Sequence, residues 1–129
     1  MEWNITAGRP VYVQLMEQLE QALAAGVFPP GSRIPPVREL AADAGVNPNT
    51  MQRALQELER EGMVYTQRTS GRFVTEDTKV IESAKKLLAE SEIRSFLEQM
   101  TRLGYPKEEI VSLLKASIEE EKNNADMGM

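Results

Sequence analysis

Hydrogen-bonding side chains that match the edges of DNA bases are concentrated in one short stretch of the chain. Asn47-Pro48-Asn49-Thr50 is followed by Gln52 and Arg53. A carboxamide can donate to and accept from adenine at the same time, and a guanidinium can donate twice to guanine. The stretch therefore indicates a surface that could read base pairs in a DNA major groove, provided that the fold exposes it.

Catalytic and metal-binding chemistry has little support in the same sequence. The chain contains no His and no Cys, which excludes thiol chemistry, disulfides and the commonest general base and metal ligand. Glu108 and Glu109 are neighbours on a predicted helix and do not face one another, so they do not form a two-carboxylate site. We find no phosphate-binding loop or nucleophile–base pair, and expect no enzyme, cofactor or metal site.

Two helices and a stiff connector are predicted ahead of the polar stretch. Apolar residues at three- and four-residue spacing predict a first helix that begins after Pro10 and ends at Gly26. Residues 28–36 contain four prolines and a glycine, which favour an extended connector over a helix. Residues 36–44 are predicted to form a short second helix with its own apolar face.

The polar stretch itself opens a third predicted helix. Gly45 is a favourable residue just past the end of the second helix. Asn47 is a favourable N-cap and Pro48 a favourable first residue for the helix that follows, which runs to about Glu61. Two short helices joined in this way are typical of a helix-turn-helix, whose second helix places its first turn in a major groove about 12 Å wide.

Helix geometry limits which of these polar residues can face one groove together. Consecutive residues are about 100° apart around a helix, so neighbouring side chains point in different directions. We favour Asn49, Thr50 and Arg53 as contacts to the bases. Gln52 is a further candidate, and Asn47 is predicted as a helix cap that could also contact a base.

A β-hairpin is predicted after the third helix. Residues 63–67 and 72–75 are rich in β-branched and aromatic residues and flank Arg68-Thr69-Ser70-Gly71. The small residues Ser70 and Gly71 at the tip, with Arg68 and Arg72 beside them, could approach a phosphate or the minor groove. The alternative is an ordinary charged hairpin without a ligand.

Two further helices, over residues 77–103 and from Pro106 to about Lys122, are predicted to form a dimer, with a frayed end from Asn123 to Met129. Their apolar stripes are too small to build a separate core, so two chains are expected to share them. The predicted dimerisation residues are Leu87, Leu88, Phe96, Leu97, Met100, Ile110 and Leu114.

The predicted fold is mainly α-helical and has two parts. Residues 1–75 form a winged helix-turn-helix of three helices and a β-hairpin, and residues 76–129 form a two-helix dimerisation segment. The net charge is −5, but residues 1–75 hold seven arginines against eight acidic residues, so the excess acid lies mainly in the second part. The start of the chain does not resemble a signal peptide and no apolar run is long enough to cross a membrane, so we expect a cytoplasmic protein.

The chain resembles the GntR family of transcription regulators over residues 10–75. The resemblance is carried by Pro10-Val11-Tyr12-Val13-Gln14-Leu15, by residues 26–41, by residues 45–55 and by Gly71-Arg72-Phe73-Val74, in that order. The length of the remaining tail and the Asn-Pro-Asn-Thr turn are similar to those of the YtrA-like subfamily. The resemblance implies a homodimeric repressor of a nearby operon, often one encoding an ABC transporter, that binds double-stranded operator DNA.

The resemblance also implies roles for individual residues. Arg38, at the start of the second helix, would contact a phosphate or a base. The start of the recognition helix and the tip of the wing would supply the other contacts, at Asn47, Asn49, Thr50, Gln52, Arg53 and Gly71. Some family members carry a basic residue in place of Pro48 and an arginine in place of Gln52, and a second glycine where this chain has Ser70 or Arg72. These departures weaken any transfer of base preference.

Two questions of function stay open at this point. A winged helix can also serve as a protein-interaction domain, or as an architectural DNA-binding module without ligand control. The tail is too short for the large ligand-sensing domain of longer GntR relatives, but a small hydrophobic effector could bind between dimer helices near Phe96 and Met100. Two-fold symmetry of a dimer predicts an inverted-repeat operator.

Overall fold

The computed structural model describes residues 1–127, and the side chains of residues 1–125. Five helices and one antiparallel pair of strands follow one another along the chain. They are α1 (Val11–Ala24), α2 (Val37–Ala44), α3 (Pro48–Arg60), β1 (Val64–Gln67), β2 (Gly71–Val74), α4 (Thr78–Arg102) and α5 (Lys107–Met127). This order confirms the predicted mainly helical fold with a winged helix-turn-helix.

Local sequence signals fix the turn between α2 and α3. Gly45 ends α2 with a φ of 71°, a left-handed conformation that glycine adopts without steric cost. Asn47 caps α3 as predicted, because its side-chain oxygen accepts a hydrogen bond of 2.8 Å from the backbone N–H of Asn49. Pro48 follows as the first helical residue, where its missing N–H costs nothing.

The core of the first unit holds α3 between its neighbours. Leu15 of α1 and Met51, Ala54 and Leu55 of α3 are completely buried, and α3 packs against both α1 and α2. Burying one large apolar side chain stabilises a fold by about 1.5–3 kcal/mol. Only the face of α3 opposite this core remains available to a ligand.

The wing is broader than the predicted hairpin. β1 and β2 pair in a register that places Val64 opposite Val74 and Thr66 opposite Arg72. The proline-rich connector adds a bridge on the other edge of β2, where Arg33 lies opposite Phe73. Backbone hydrogen bonds of 3.0 Å from Ile34 to Arg72 and of 2.8 Å from Val74 to Ser32 hold it there. The prediction of an extended connector is wrong for its first half, because a turn closed by a 3.0 Å hydrogen bond from the Ser32 N–H to the Pro29 carbonyl lies at Pro30 and Gly31. The part from Arg33 onward is not helical and also belongs to the wing.

The chain divides into two compact units, Met1–Leu88 and Ala89–Met129, and α4 runs through the division. The first turns of α4 belong to the first unit because Ile81 is only 7% exposed in its core and Val80 and Ala84 pack against it. The boundary predicted after residue 75 describes where the wing ends rather than where this unit ends.

The last helix is longer than predicted. α5 continues to Met127, so the frayed end predicted from Asn123 is wrong as far as the structure describes it, and residues 128–129 lie outside the described residues. Neither Pro nor Gly occurs between Asn123 and Met127, so nothing there forces the helix to stop. No helix in the described part of the chain is long and apolar enough to cross a membrane.

Candidate nucleic-acid interface

The first turn of α3 lies on the surface of the first unit. Asn47, Pro48 and Asn49 are exposed, and Thr50 is half-buried. The Asn47 oxygen is turned back toward the helix by its capping bond, and its amide N–H groups have no hydrogen-bond acceptor within the described residues. The backbone N–H of Asn49 bonds to the cap, whereas its side chain makes no hydrogen bond within the described residues. The side-chain amide of Asn49 can therefore bind a base.

Gln52 and Arg53 leave α3 on different sides. Gln52 is half-buried and lines a crevice of about 210 Å³ together with Thr66, Gly71 and Arg72 of the wing. The guanidinium carbon of Arg53 lies 3.7 Å from the centre of the Tyr12 ring on α1, which is a close cation–π contact. Arg53 can therefore reach DNA at the edge of the interface where α1 borders α3, and Gln52 at the edge beside the wing.

The arginines predicted to bind DNA are free of competing acids. Arg38 is exposed in the first turn of α2, and Arg68 is exposed at the wing tip. Within the described part of the chain, the arginines paired with carboxylates are Arg9 and Arg60, which contact Glu17 and Glu57. Cations without internal partners keep their full charge for an external anion.

The tip of the wing holds an arginine that the sequence analysis did not assign. Gly71 has a φ of 108°, and a Cβ atom on it would lie 2.9 Å from Nε of Arg33. The Arg72 Nε atom is buried without a hydrogen-bond partner in the described structure. Stacking of the Tyr65 and Phe73 rings, with centres 5.8 Å apart, supports the sheet behind them. The only sequence signal for Arg33 is its basic charge in the connector.

The N-terminal arm, residues 1–10, positions α1, and the sequence analysis also missed it. Gln14 is 4% exposed, and its amide accepts from the backbone N–H of Thr6 and donates to the Thr6 carbonyl, both at 2.8 Å. Gln18 makes the same pair of bonds to Asn4, at 2.9 and 2.8 Å. Two glutamines at i and i+4 lie on one face of a helix, which is the signal that could have revealed this clamp.

An acidic pair lies where α1 approaches the end of α3. Burial, together with the charge and hydrogen bonding of Glu61, raises the pKa of Glu20 from its ordinary value of 4.5 to about 7. Glu17 adds a smaller repulsion. Glu61 follows the last residue of α3, at the opposite end of the helix from Asn47, so we expect the pair to affect the stability of the unit.

The predicted dimerisation residues differ in their exposure within the single chain. Leu87 is 66% exposed, Leu114 45%, Leu97 40% and Phe96 37%. Leu88 and Met100 are half-buried. Ile110 is 2% exposed, so its side chain is unavailable to a partner and can contribute only by supporting its neighbours. Their role in a dimer stays a prediction.

Comparison with known proteins places this arrangement among transcription regulators. Residues 11–74 match the family described as bacterial regulatory proteins, gntR family. An uncharacterized HTH-type transcriptional regulator of Bacillus subtilis strain 168, YhcF, is 35% identical over 119 residues, which are 92% of this chain and 98% of YhcF. The HTH-type transcriptional repressor YtrA of the same organism is 37% identical over 94 residues, covering 73% of this chain and 68% of YtrA.

Solved structures agree with the sequence relatives. A GntR family transcriptional regulator from Listeria monocytogenes superposes with a TM-score of 0.80 at 34% identity, covering 87% of this chain and 98% of that chain. The DNA-binding domain of AraR, solved in complex with operator ORX1, superposes with a TM-score of 0.51 at 26% identity, covering 58% of this chain and 92% of that chain.

Proposed function

The chain belongs to the GntR family of DNA-binding transcriptional regulators, and we propose that it represses a nearby operon by binding an inverted-repeat operator as a dimer. Assignment to a YtrA-like subfamily is consistent with both Bacillus relatives, YhcF and YtrA, and YtrA is described as a repressor. The matching family and the relatives reported above are described as regulators, in agreement with the prediction that the chain is not an enzyme. An operon that encodes an ABC transporter is the target that the subfamily resemblance favours.

The observation that carries the proposal is the exposed, polar first turn of α3 beside an acid-free wing. Asn49 offers a free carboxamide, which suits adenine, and Arg53 a guanidinium, which suits guanine. Arg38 and Arg68 lie on neighbouring elements and would bind the phosphates on either side of the bases. A surface meant for a protein partner would be apolar at this point, and this one is not.

A second copy of the chain would cover the apolar side chains of the second unit. Large apolar residues that are 37–71% exposed lie along both helices and in the turn between them, among them Leu97, Leu103, Leu114 and Ile118. A single soluble chain rarely leaves that much apolar surface in contact with water. Two-fold pairing would present two copies of α3 to successive major grooves, about 34 Å apart.

A mobility-shift experiment with the DNA upstream of the protein's own gene tests the proposal. We expect binding that survives an excess of unrelated duplex, and a footprint with two half-sites separated by one helical turn. Light scattering should give the mass of two chains. Binding of equal strength to every duplex would instead support an architectural module, and the absence of binding to any duplex would support a protein-interaction domain.

A small hydrophobic effector is the form of control that the second unit could support. Phe96 is 37% exposed and Met100 is half-buried, and both side chains can adapt to an apolar ligand. Calorimetric titration with hydrophobic compounds, repeated with operator DNA present, would test this. Heat of binding with an altered operator affinity is expected, and neither would appear if the protein acts without an effector.

A further inference from the structure

Arg33 is held beside the wing by backbone pairing that the connector makes with β2. It lies opposite Phe73 in an antiparallel bridge. The hydrogen bonds from Ile34 to Arg72 and from Val74 to Ser32 flank it on both sides. Its backbone is therefore fixed as firmly as that of a strand residue, although the proline-rich sequence around it predicts only a connector.

Gly71 gives the Arg33 side chain its path. Three guanidinium atoms of Arg33 lie where a side chain at position 71 would begin: Nε at 2.9 Å, Nη2 at 3.3 Å and Cζ at 3.4 Å from the ideal Cβ position. No Cβ atom tolerates a contact of 2.9 Å without movement. The glycine therefore combines a φ of 108° with room for the Arg33 side chain, whose flexible end would have to move if a Cβ atom were present.

Arg33 and Arg72 approach β2 from opposite faces. Residues that lie opposite one another in a sheet share a face, and successive residues alternate between faces. Arg33 shares the face of Phe73, whereas Arg72 shares the face of Thr66, its partner on β1. The two arginines thus bracket the strand, and both line the crevice that reaches Gln52 on the recognition helix.

The charge around Arg33 has no internal counterpart. Arg33 is exposed, and in the described residues no carboxylate oxygen lies within 4.0 Å of it. The buried Arg72 Nε atom likewise lacks a partner. Residues 62–75 contain no acid. Two carboxylates contact neighbouring residues without pairing with Arg33: Glu59 accepts a hydrogen bond from the Thr66 hydroxyl, and Glu76 lies against Gly31. A guanidinium without an acid partner, carried on a backbone that is held in place, is suited to binding a phosphate group.

We propose that Arg33 binds a backbone phosphate of the DNA and acts as a third cation of the wing, with Gly71 holding its path open. The proposal rests on the proposed function, because it adds a DNA contact to the same interface. Arg33 fixes position on the DNA and does not read the bases, since a phosphate carries no sequence information. Its loss should weaken binding to all duplexes by a similar factor.

The dependence of operator affinity on salt tests this role. Each lost phosphate contact reduces the slope of log K against log salt by about 0.9. We expect Arg33→Gln to make the slope less steep by that amount on operator and unrelated duplex alike. Arg33→Lys should keep most of the steepness of wild type. Arg60→Gln is the matched control, because Arg60 is exposed on α3 of the same unit and is paired with Glu57; it should leave the slope unchanged.

Phosphate ethylation interference on the operator identifies the contact directly. We expect one phosphate per half-site whose ethylation weakens the wild-type protein and no longer affects Arg33→Gln. Melting temperatures show whether the variants are folded. If Arg33→Gln is unfolded, Arg33→Lys is compared with wild type instead, and ethylation of that phosphate must then still weaken the binding of Arg33→Lys.

The possible outcomes separate the two proposals. If wild type binds its operator and Arg33→Gln has the same slope as wild type, the role of Arg33 is refuted and the proposed function stands. If Arg33 binds free phosphate and not the DNA backbone, Arg33→Gln would also leave the slope unchanged. If Arg33→Gln and Arg60→Gln lower the slope equally, general charge explains the effect and Arg33 has no special contact. If wild type binds no duplex, the proposed function is refuted, and the role of Arg33, which rests on it, is refuted as well.

Discussion

Substitution of Asn47 separates the structural role of the recognition turn from its role in reading DNA. The Asn47 oxygen accepts the 2.8 Å bond from the Asn49 N–H, and this is the only side-chain bond that caps α3 in the described structure. Asn47→Ala removes the cap. Asn47→Ser keeps a capping oxygen of similar strength but removes the amide N–H groups.

The structure gives the expected size of each effect. Loss of an N-cap costs about 1 kcal/mol, and for a domain of 60–100 residues each kcal/mol lowers the melting temperature by about 4–8 °C. The first unit, Met1–Leu88, falls in that range. We therefore expect Asn47→Ala to melt about 4–8 °C below wild type, and Asn47→Ser to melt close to it.

Binding should follow a different order. Because its oxygen faces the helix, Asn47 cannot make the paired donor and acceptor contact to adenine while the cap is intact. Asn47→Ser should therefore weaken operator binding by less than Asn49→Ala, as measured by fluorescence anisotropy at one salt concentration. The reasoning is refuted if Asn47→Ala melts with wild type, or if Asn47→Ser binds as weakly as Asn49→Ala while its melting temperature is unchanged.

Three further predictions concern phosphate contact, assembly and pH. Arg38→Ala should lower the salt slope of binding by about 0.9 on all duplexes, whereas Asn49→Ala should relax discrimination at one base pair by about 1–3 kcal/mol; equal losses on every sequence for both would contradict this division. If the chain forms the proposed dimer, Leu114→Glu should give a monomer in light scattering and weaken operator binding, and Ser112→Glu, about 200° away on α5, should do neither. The pKa of Glu20 is about 7 in the fold against an ordinary 4.5, so the stability of the fold falls as pH rises between these values. Glu20→Gln should therefore raise the melting temperature at pH 8 but not at pH 4. An equal gain at both pH values would exclude the titration of Glu20 as the cause.

Local signals made the helix-turn-helix predictable from sequence. Gly45, Asn47 and Pro48 act through their own backbone and the next few residues, so their meaning does not depend on the rest of the fold. The hairpin was predictable for a similar reason, because its two strands are joined by a short turn at Gly71. These elements account for most of the predicted interface.

Contacts between distant parts of the chain were not predictable. Arg33 meets Gly71 across the sheet, and Gln14 clamps the N-terminal arm from the side of α1. Neither residue type demands such a partner, so composition and periodicity are silent about them. The apolar stripe of α4 likewise gave no sign that Ile81 packs into the first unit whereas Leu87 remains exposed, because periodicity identifies a face and not what covers it.

The N-terminal arm gives this protein an internal optical reporter. The chain's single tryptophan, Trp3, lies on the arm, and its indole N–H donates a 2.8 Å hydrogen bond to Asp43 on α2. Indole emission responds to solvent and hydrogen bonding, so its wavelength should follow the detachment of the arm from the helix that precedes the recognition turn. Rapid-mixing fluorescence could then time the release of the arm during unfolding on unlabelled protein, without a dye that would perturb the surface.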